Sequence, residues 1–248
     1  VFHKMGYKGA PIAHLILGEK DDCQAYLVGE PHQGLSYMFQ MMNEARVGVG
    51  LNAVSIASAA YQASLAYAKE RKQGRLPNKK DVTQEQVKLT KHADIKRLLL
   101  MQKAMVEGSL AILMQCALYT DLECVATGKE KEHAALLLDL LTPVAKSYPA
   151  ENGCLSTSAA IQIMGGYGYC SDFPVEQFYR EARIHPIHEG TTGIHAIDKL
   201  GRKVWLKESK AIQLFIAEVN QCIENASGVF WFNSYGLAMV KNGFSSSK

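Results

Sequence analysis

The sequence predicts an all-α fold: an up-down four-helix bundle with extra C-terminal helices, preceded by a short remnant of a β-domain. Three observations carry that reading. From Gly34 onward, apolar residues recur at mixed three- and four-residue steps over stretches far longer than a strand. Polar breaks containing Gly or Pro separate those stretches. Near the N-terminus, residues 14–17 and 25–28 have strand character instead, divided by turn chemistry from Gly18 to Asp21.

Two short strands are marginal in water, so residues 1–30 read as the end of a β-domain whose other strands lie outside this sequence. Residues 31–248 read as the helical domain. The first helix is expected over 35–72, with Met38, Met41, Val47, Leu51, Val54 and Leu65 on its apolar side. Gly48, Gly50, Ala53, Ala57 and Ala60 crowd its middle, which suits close approach of neighbouring helices. Gly74 and Pro77 mark a loop over 73–78. The second helix is expected over 83–127, because Thr83 and Gln86 have capping-box spacing and Gly128 suits a C-cap. A third is expected over 130–146, kinked at Pro143, and a fourth over 152–164, stopping at Gly165 and Gly166. Past Trp205, residues 206–248 form an extra tail. Within it an amphipathic helix is expected over 212–229, and 244–248 are expected to fray.

Composition removes several function classes. A chain of 248 residues, 48% hydrophobic, buries a substantial core. A net charge of +3 without a basic block interleaved with aromatics argues against nucleic acid. The 6 cysteines lack short paired spacings, which argues against a zinc site or disulfide framework and for a reducing, cytoplasmic setting. Apolar runs such as 98–101 and 134–138 are too short to span a bilayer, so membrane association is not expected.

Three segments resist a purely structural reading. Arg71, Lys72 and Arg75 follow the first helix, either as complements of its dipole or as a fork for phosphate. Gly165, Gly166 and Gly168 follow Gln162, either capping a helix or letting a ligand approach. Glu189 lies between a Pro-containing run and Gly190-Thr191-Thr192-Gly193, ahead of a new periodicity at Ile194. A carboxylate at such a junction either complements a helix dipole or serves as a general base.

Taken together and in order, these segments resemble the C-terminal helical domain of the acyl-CoA dehydrogenase family. The resemblance is carried by Glu44-Ala45-Arg46-Val47-Gly48, Tyr67-Ala68-Lys69-Glu70-Arg71-Lys72-Gln73, Gln162-Ile163-Met164-Gly165-Gly166-Tyr167-Gly168, Tyr179-Arg180-Glu181-Ala182-Arg183 and His188-Glu189-Gly190-Thr191. It covers roughly residues 29–205. The variants Lys91-His92-Ala93-Asp94 and Thr192-Gly193-Ile194-His195 are most similar to the branch that includes 3-methylmercaptopropionyl-CoA dehydrogenases.

The resemblance implies a role for each matching position. Glu189 would remove the α-proton of an acyl-CoA thioester while the β-hydrogen leaves as hydride to FAD. Arg71, Gln73, Gln162, Gly166 and Thr191 would contact FAD, several of them across a subunit interface. Arg46 and Gly190 would lie on the substrate side, although a helix-surface cation is the alternative for Arg46. A homodimer or dimer of dimers would follow, with an electron-transfer flavoprotein as electron acceptor. Four positions depart from the family pattern. Gly74 follows Gln73 directly where common members have an aromatic before the Gly, Gly193 stands in place of a Gln and His188 in place of a Tyr. Ala45 stands where some branches carry the base, with Glu44 one residue away. The truncated sheet together with Gly74 and Gly193 leaves a non-catalytic helical oligomerisation module as the alternative, and an oxidase of the same fold is a further possibility.

Overall fold

The computed structural model describes residues 1–78 and 81–226, with side chains at all of these but 39, 40 and 43. The elements are α1 (Gly34–Glu70), α2 (Ala93–Val125), α3 (Gly128–Met164), α4 (Val175–Ala182), α5 (Thr192–Gly201) and α6 (Leu206–Ala226). The all-α class holds. Among the described residues no strand forms, and the one backbone bridge pairs Lys72 with Lys88.

The chain divides into two compact units. The first comprises Val1–Leu118 and Leu141–Ala196; the second comprises Tyr119–Leu140 and the described residues from Ile197 on. In the first unit, Gly50 of α1 lies against Leu113 of α2, while Ser64 further along α1 donates to Gln102 Oε1 at 3.1 Å. Rising numbers on α1 thus meet falling numbers on α2. Along α3 the order is reversed, since Gly50 meets Ala145, Ala53 meets Gly153 and Ala57 O accepts from Ser156 Oγ at 3.3 Å. The three helices therefore run up, down and up. Gln102 ties all three together, because its Nε2 donates to Ser156 O at 2.8 Å. Ser64, Gln102 and Ser156 are fully buried, so this satisfied polar chain fixes the helix register. Around it pack Ala68, Leu89, Leu98, Leu99, Ala159 and Ile163.

The expected third and fourth helices are one. α3 runs for 37 residues through Pro143 and Pro149, both fully buried. Each proline removes one N–H, leaving the carbonyls of Asp139 and Ala145 without their helical donors. Lys203 Nζ donates to Asp139 O at 2.7 Å. Ala145 O sits against Gly50, where a Cβ would lie 2.1 Å away. The small-residue stretch of α1 thus lets the α3 backbone come close, and packing carries the helix past both prolines.

Two further expectations are corrected. Residues 14–17 and 25–28 form no strands; Leu15, Leu17, Tyr26 and Val28 are exposed by 77%, 79%, 86% and 86%. No partner strand is present among the described residues to take up their backbone groups. The second helix begins at Ala93 rather than near Thr83. Asp81 Oδ1 accepts from the Thr83 N–H at 2.9 Å and from its hydroxyl at 2.7 Å, a local turn that competes with capping. Residues 87–89 instead pair with 71–74: Gln73 N–H donates to Val87 O at 2.9 Å, and Leu89 N–H to Arg71 O at 2.9 Å.

In the second unit, Leu136, Leu140 and Ala211 form a small core. Lys203 is buried beside it, 2.7 Å from Asp139 Oδ1 and 3.8 Å from Asp198 Oδ2. α6 becomes regular only after Lys207, Glu208 and Ser209, which have φ of 46°, 57° and 66°. The rest of the expected 212–229 helix, beyond Ala226, and the expected fraying at 244–248 lie outside the described residues. No described helix is long and apolar enough to cross a membrane.

Candidate active site and cofactor cleft

After α4 the backbone tightens into successive turns. Ile187 N–H donates to Ile184 O at 2.9 Å, and His188 N–H to the same oxygen at 3.1 Å. Two consecutive left-handed residues follow, Glu189 at φ 54° and Gly190 at φ 93°. Glycine at 190 has a steric reason, since a Cβ there would meet His195 Nε2 at 3.1 Å. α5 then starts at Thr192, with no acidic residue in its first turn. The half-buried Glu189 side chain therefore stands on the turn ahead of α5, outside its opening residues.

Two buried cationic or imidazole groups hold this turn from behind. Lys146 on α3 is fully buried, and its Nζ donates to Gly190 O at 2.6 Å. His195, 1% exposed, donates from Nε2 to Glu189 O at 3.1 Å, and the carbonyl acceptor sets its tautomer. Burial pushes the Lys146 ammonium down to about 8; Glu151 opposes the shift, Arg46 adds to it and Glu189 opposes it. Arg46 is only 5% exposed, which removes the surface-cation alternative and places its charge on the Lys146 side of α1.

His185 and His188 line the approach. His185 Nδ1 lies 3.2 Å from His188 Nε2, and His185 Nε2 lies 3.3 Å from the Tyr7 hydroxyl. Burial, then His188 and Lys146, push His185 down to about 4. Burial also lowers His188, with Lys146 adding and Glu189 opposing. Both imidazoles are therefore neutral at pH 7. Between the N-terminal segment and this turn lies a largely apolar cleft of about 450 Å³, walled by Tyr7, Ile12, Asn52, Ile184, Ile187 and His188.

A second site lies at the other end of α1. Gln73 and Gln162 line one cleft of about 360 Å³, together with Tyr67, Gly74, His92 and Gly165. Arg71 caps α1 beside it, its N–H donating to Tyr67 O at 2.9 Å and its side chain exposed. Gly165 has φ of 61°, and open space surrounds both Gly165 and Gly166. At 1.5 Å per residue, the 24 steps from Arg46 to Glu70 along α1 span about 36 Å. The expected site residues thus form two groups. Glu189, Gly190 and Arg46 gather around Lys146, with Thr191 next in the chain, while Gln73 and Gln162 line the far cleft, with Arg71 and Gly166 adjoining it in sequence.

Residues 32–204 match the family model described as acyl-CoA dehydrogenase, C-terminal domain. The chain belongs to the acyl-CoA dehydrogenase family. A 3-methylmercaptopropionyl-CoA dehydrogenase of Ruegeria pomeroyi is 40% identical over 202 residues, covering 82% of this chain and 34% of that protein. A broad-specificity linear acyl-CoA dehydrogenase, FadE5, of Mycobacterium tuberculosis is 34% identical over 232 residues, covering 92% and 38%. The chain thus spans about a third of the length of the curated relatives it matches. Among solved structures, Caenorhabditis elegans ACDH-11 in complex with C11-CoA shares the fold at TM-score 0.69 and 22% identity, over 80% of this chain and 31% of that one. Butyryl-CoA dehydrogenase from Megasphaera elsdenii matches at TM-score 0.57 and 25% identity, over 70% and 39%.

The departures from the acyl-CoA dehydrogenase pattern have structural counterparts. Glu44 is exposed while Arg46 is buried, so the carboxylate one residue from the alternative base position points to the outer side of α1. Gly74, at φ 64°, has the His92 ring 3.8 Å from where its Cβ would begin. His92 has no site role in the sequence pattern, yet its Nε2 donates to Gln73 O at 2.8 Å and its ring walls the same cleft. The available signal is its place at the end of the 73–92 connection, opposite a glycine that lacks the usual ring.

Proposed function

We propose that this chain is the C-terminal part of a flavin-dependent acyl-CoA dehydrogenase, in which Glu189 takes the α-proton of an acyl-CoA thioester to give the 2,3-enoyl-CoA. One observation carries the reading: the carbonyls of Glu189 and Gly190 are each bonded to a buried side chain, so the carboxylate is presented from a fixed turn rather than from a helix end. A weak carbon acid needs such a base held within reach and shielded from water. The cleft beside His188 offers largely apolar space next to that turn. Arg46 and Gly190 are assigned to the substrate side.

The far cleft fits a dinucleotide. Its side-chain donors include the amides of Gln73 and Gln162, which suit an anionic pyrophosphate, and the open space at Gly165 and Gly166 leaves room for close approach, while the exposed Arg71 follows α1 nearby in the chain. Arg71, Gln73, Gln162 and Gly166 would hold FAD there, and Thr191 would contact it beside the base. FAD supplies the two-electron acceptor for the β-hydrogen. Because the two groups lie about 36 Å apart along α1, they serve different flavins in a homodimer or dimer of dimers. An electron-transfer flavoprotein as acceptor and a cytoplasmic setting complete the reading.

The test is reduction of bound flavin by acyl-CoA in the full-length protein. Glu189→Gln should abolish it while leaving the yellow colour and acyl-CoA binding intact. Full reduction by that variant would assign the base elsewhere.

A further inference from the structure

Lys146 is the largest fully buried charged side chain of the first unit, and the chemistry proposed for Glu189 does not use it. It rises from the middle of α3, three residues past Pro143 and three before Pro149. Its Nζ reaches one backbone acceptor of the turn, Gly190 O, at 2.6 Å. Burying a lone ammonium is expensive, so the fold keeps it only where its hydrogen bonds and field are used. The charged and titratable groups facing it come from three elements: Arg46 on α1, Glu151 on α3, and His185, His188 and Glu189 on the turn.

The acceptor's position matters more than its identity. Glu189 and Gly190 are both left-handed, and the Glu189 conformation is unfavourable for a side chain with a Cβ, so it needs support from its surroundings. His195 fixes the first carbonyl of the pair and Lys146 the second. With both carbonyls tethered, the Cα–Cβ direction of Glu189 has one setting. We propose that Lys146 is a positioning residue for Glu189, holding the Glu189–Gly190 pair in its left-handed form through the Gly190 carbonyl and so aiming the carboxylate at the α-carbon. This rests on Glu189 as the base. That assignment fails or stands on Glu189→Gln alone, whereas Lys146 is tested with Glu189 in place.

The experiment compares Lys146→Met and Lys146→Arg in the full-length holoenzyme. Two readouts are taken: steady-state kinetics, and amide hydrogen exchange of peptides covering 187–195 in both the flavin-bound and flavin-free protein. Lys146→Met should lower kcat on the order of tenfold to a hundredfold with KM nearly unchanged, as a misaimed base would. It should also speed exchange at 189–192 while amides at 153–163 keep their protection. Lys146→Arg, which keeps a cation and a donor, should recover much of both. Unchanged kcat and exchange in Lys146→Met would overturn the proposal. So would exchange rising equally along α3, which would make Lys146 a packing residue only. If Lys146→Met does not fold, Lys146→Gln takes its place in both measurements, and the same outcomes support or overturn the proposal.

Discussion

Lys203 donates to the Asp139 carbonyl at 2.7 Å, the carbonyl whose helical donor position is occupied by Pro143. The same ammonium lies 2.7 Å from Asp139 Oδ1, so one buried side chain serves both the backbone gap and the carboxylate. Lys203→Met should therefore destabilise the protein by about 2 kcal/mol, because the carbonyl loses its remaining donor. In a Pro143→Ala background the restored N–H would serve Asp139 O, and the same substitution should be milder by about 1 kcal/mol. A double-mutant cycle in chemical unfolding measures that coupling. Strict additivity would show that the lysine does not fill the gap left by the proline.

Gly50 and Gly48 are two residues apart on α1 and should behave oppositely. A Cβ on Gly50 would meet Ala145 O at 2.1 Å and Leu113 at 2.9 Å, and the first is backbone that cannot swing aside. Gly50→Ala should lower stability by about 1–3 kcal/mol through overpacking. Gly48 has nothing within 4 Å, so Gly48→Ala should raise stability by about 0.5–1 kcal/mol through helix propensity. Thermal melts of the two variants decide it.

Acid should weaken the first unit through His185. Its folded value is pushed down to about 4 from an ordinary 6.5, so the unfolded chain binds the proton more readily. The stabilisation is fully present above pH 6.5 and is lost as pH falls through 6.5 to about 4. The loss should approach about 3 kcal/mol at the acid end of that window. His185→Phe should flatten this part of the stability profile in urea titrations at several pH values; an unchanged slope would exclude His185 as the source.

Cofactor retention should depend on the far cleft. Gln73→Ala and Gln162→Ala each remove an amide from its wall and should weaken FAD binding by about tenfold, the worth of one good hydrogen bond. Gln177→Ala removes an amide that bonds to Glu181 at 2.9 Å, away from that cleft, and should leave FAD binding unchanged. Flavin fluorescence on dilution reads all three.

Much of the fold is legible in the sequence, and the misses share a cause. The long apolar periodicities reveal α1 and the body of α2 because burial on one face repeats locally along the chain. Pro143 reads as a kink and residues 147–151 as a connection because local chemistry is what a sequence displays. The side chains that compensate Pro143 and Pro149, Lys203 and the absent one of Gly50, lie 60 residues further on and 99 back. Thr83 and Gln86 have cap spacing, but Asp81 and the distant 71–74 segment claim the same backbone groups. Glu189 stands out by its own carboxylate between a Pro-containing run and a Gly-Thr-Thr-Gly turn, whereas Gln73 and Gln162 are singled out only by the resemblance. Lys146 and His92 are not legible, because their significance lies in which carbonyl they reach, and no spacing encodes that.

At Glu189 the backbone is left-handed, a conformation that disfavours its side chain. A residue with φ of 54° is most comfortable as glycine or asparagine, and a glutamate held there costs roughly 1–2 kcal/mol. Substitution by Gly or Asn would remove the proposed base and relax the turn together. A screen that ranks variants by melting temperature would therefore favour changes at position 189 that silence the enzyme, while a screen for turnover would restore the less comfortable residue. With Glu189 as the proposed base, heat tolerance and activity pull this position in opposite directions, which makes it a poor target for thermostabilisation.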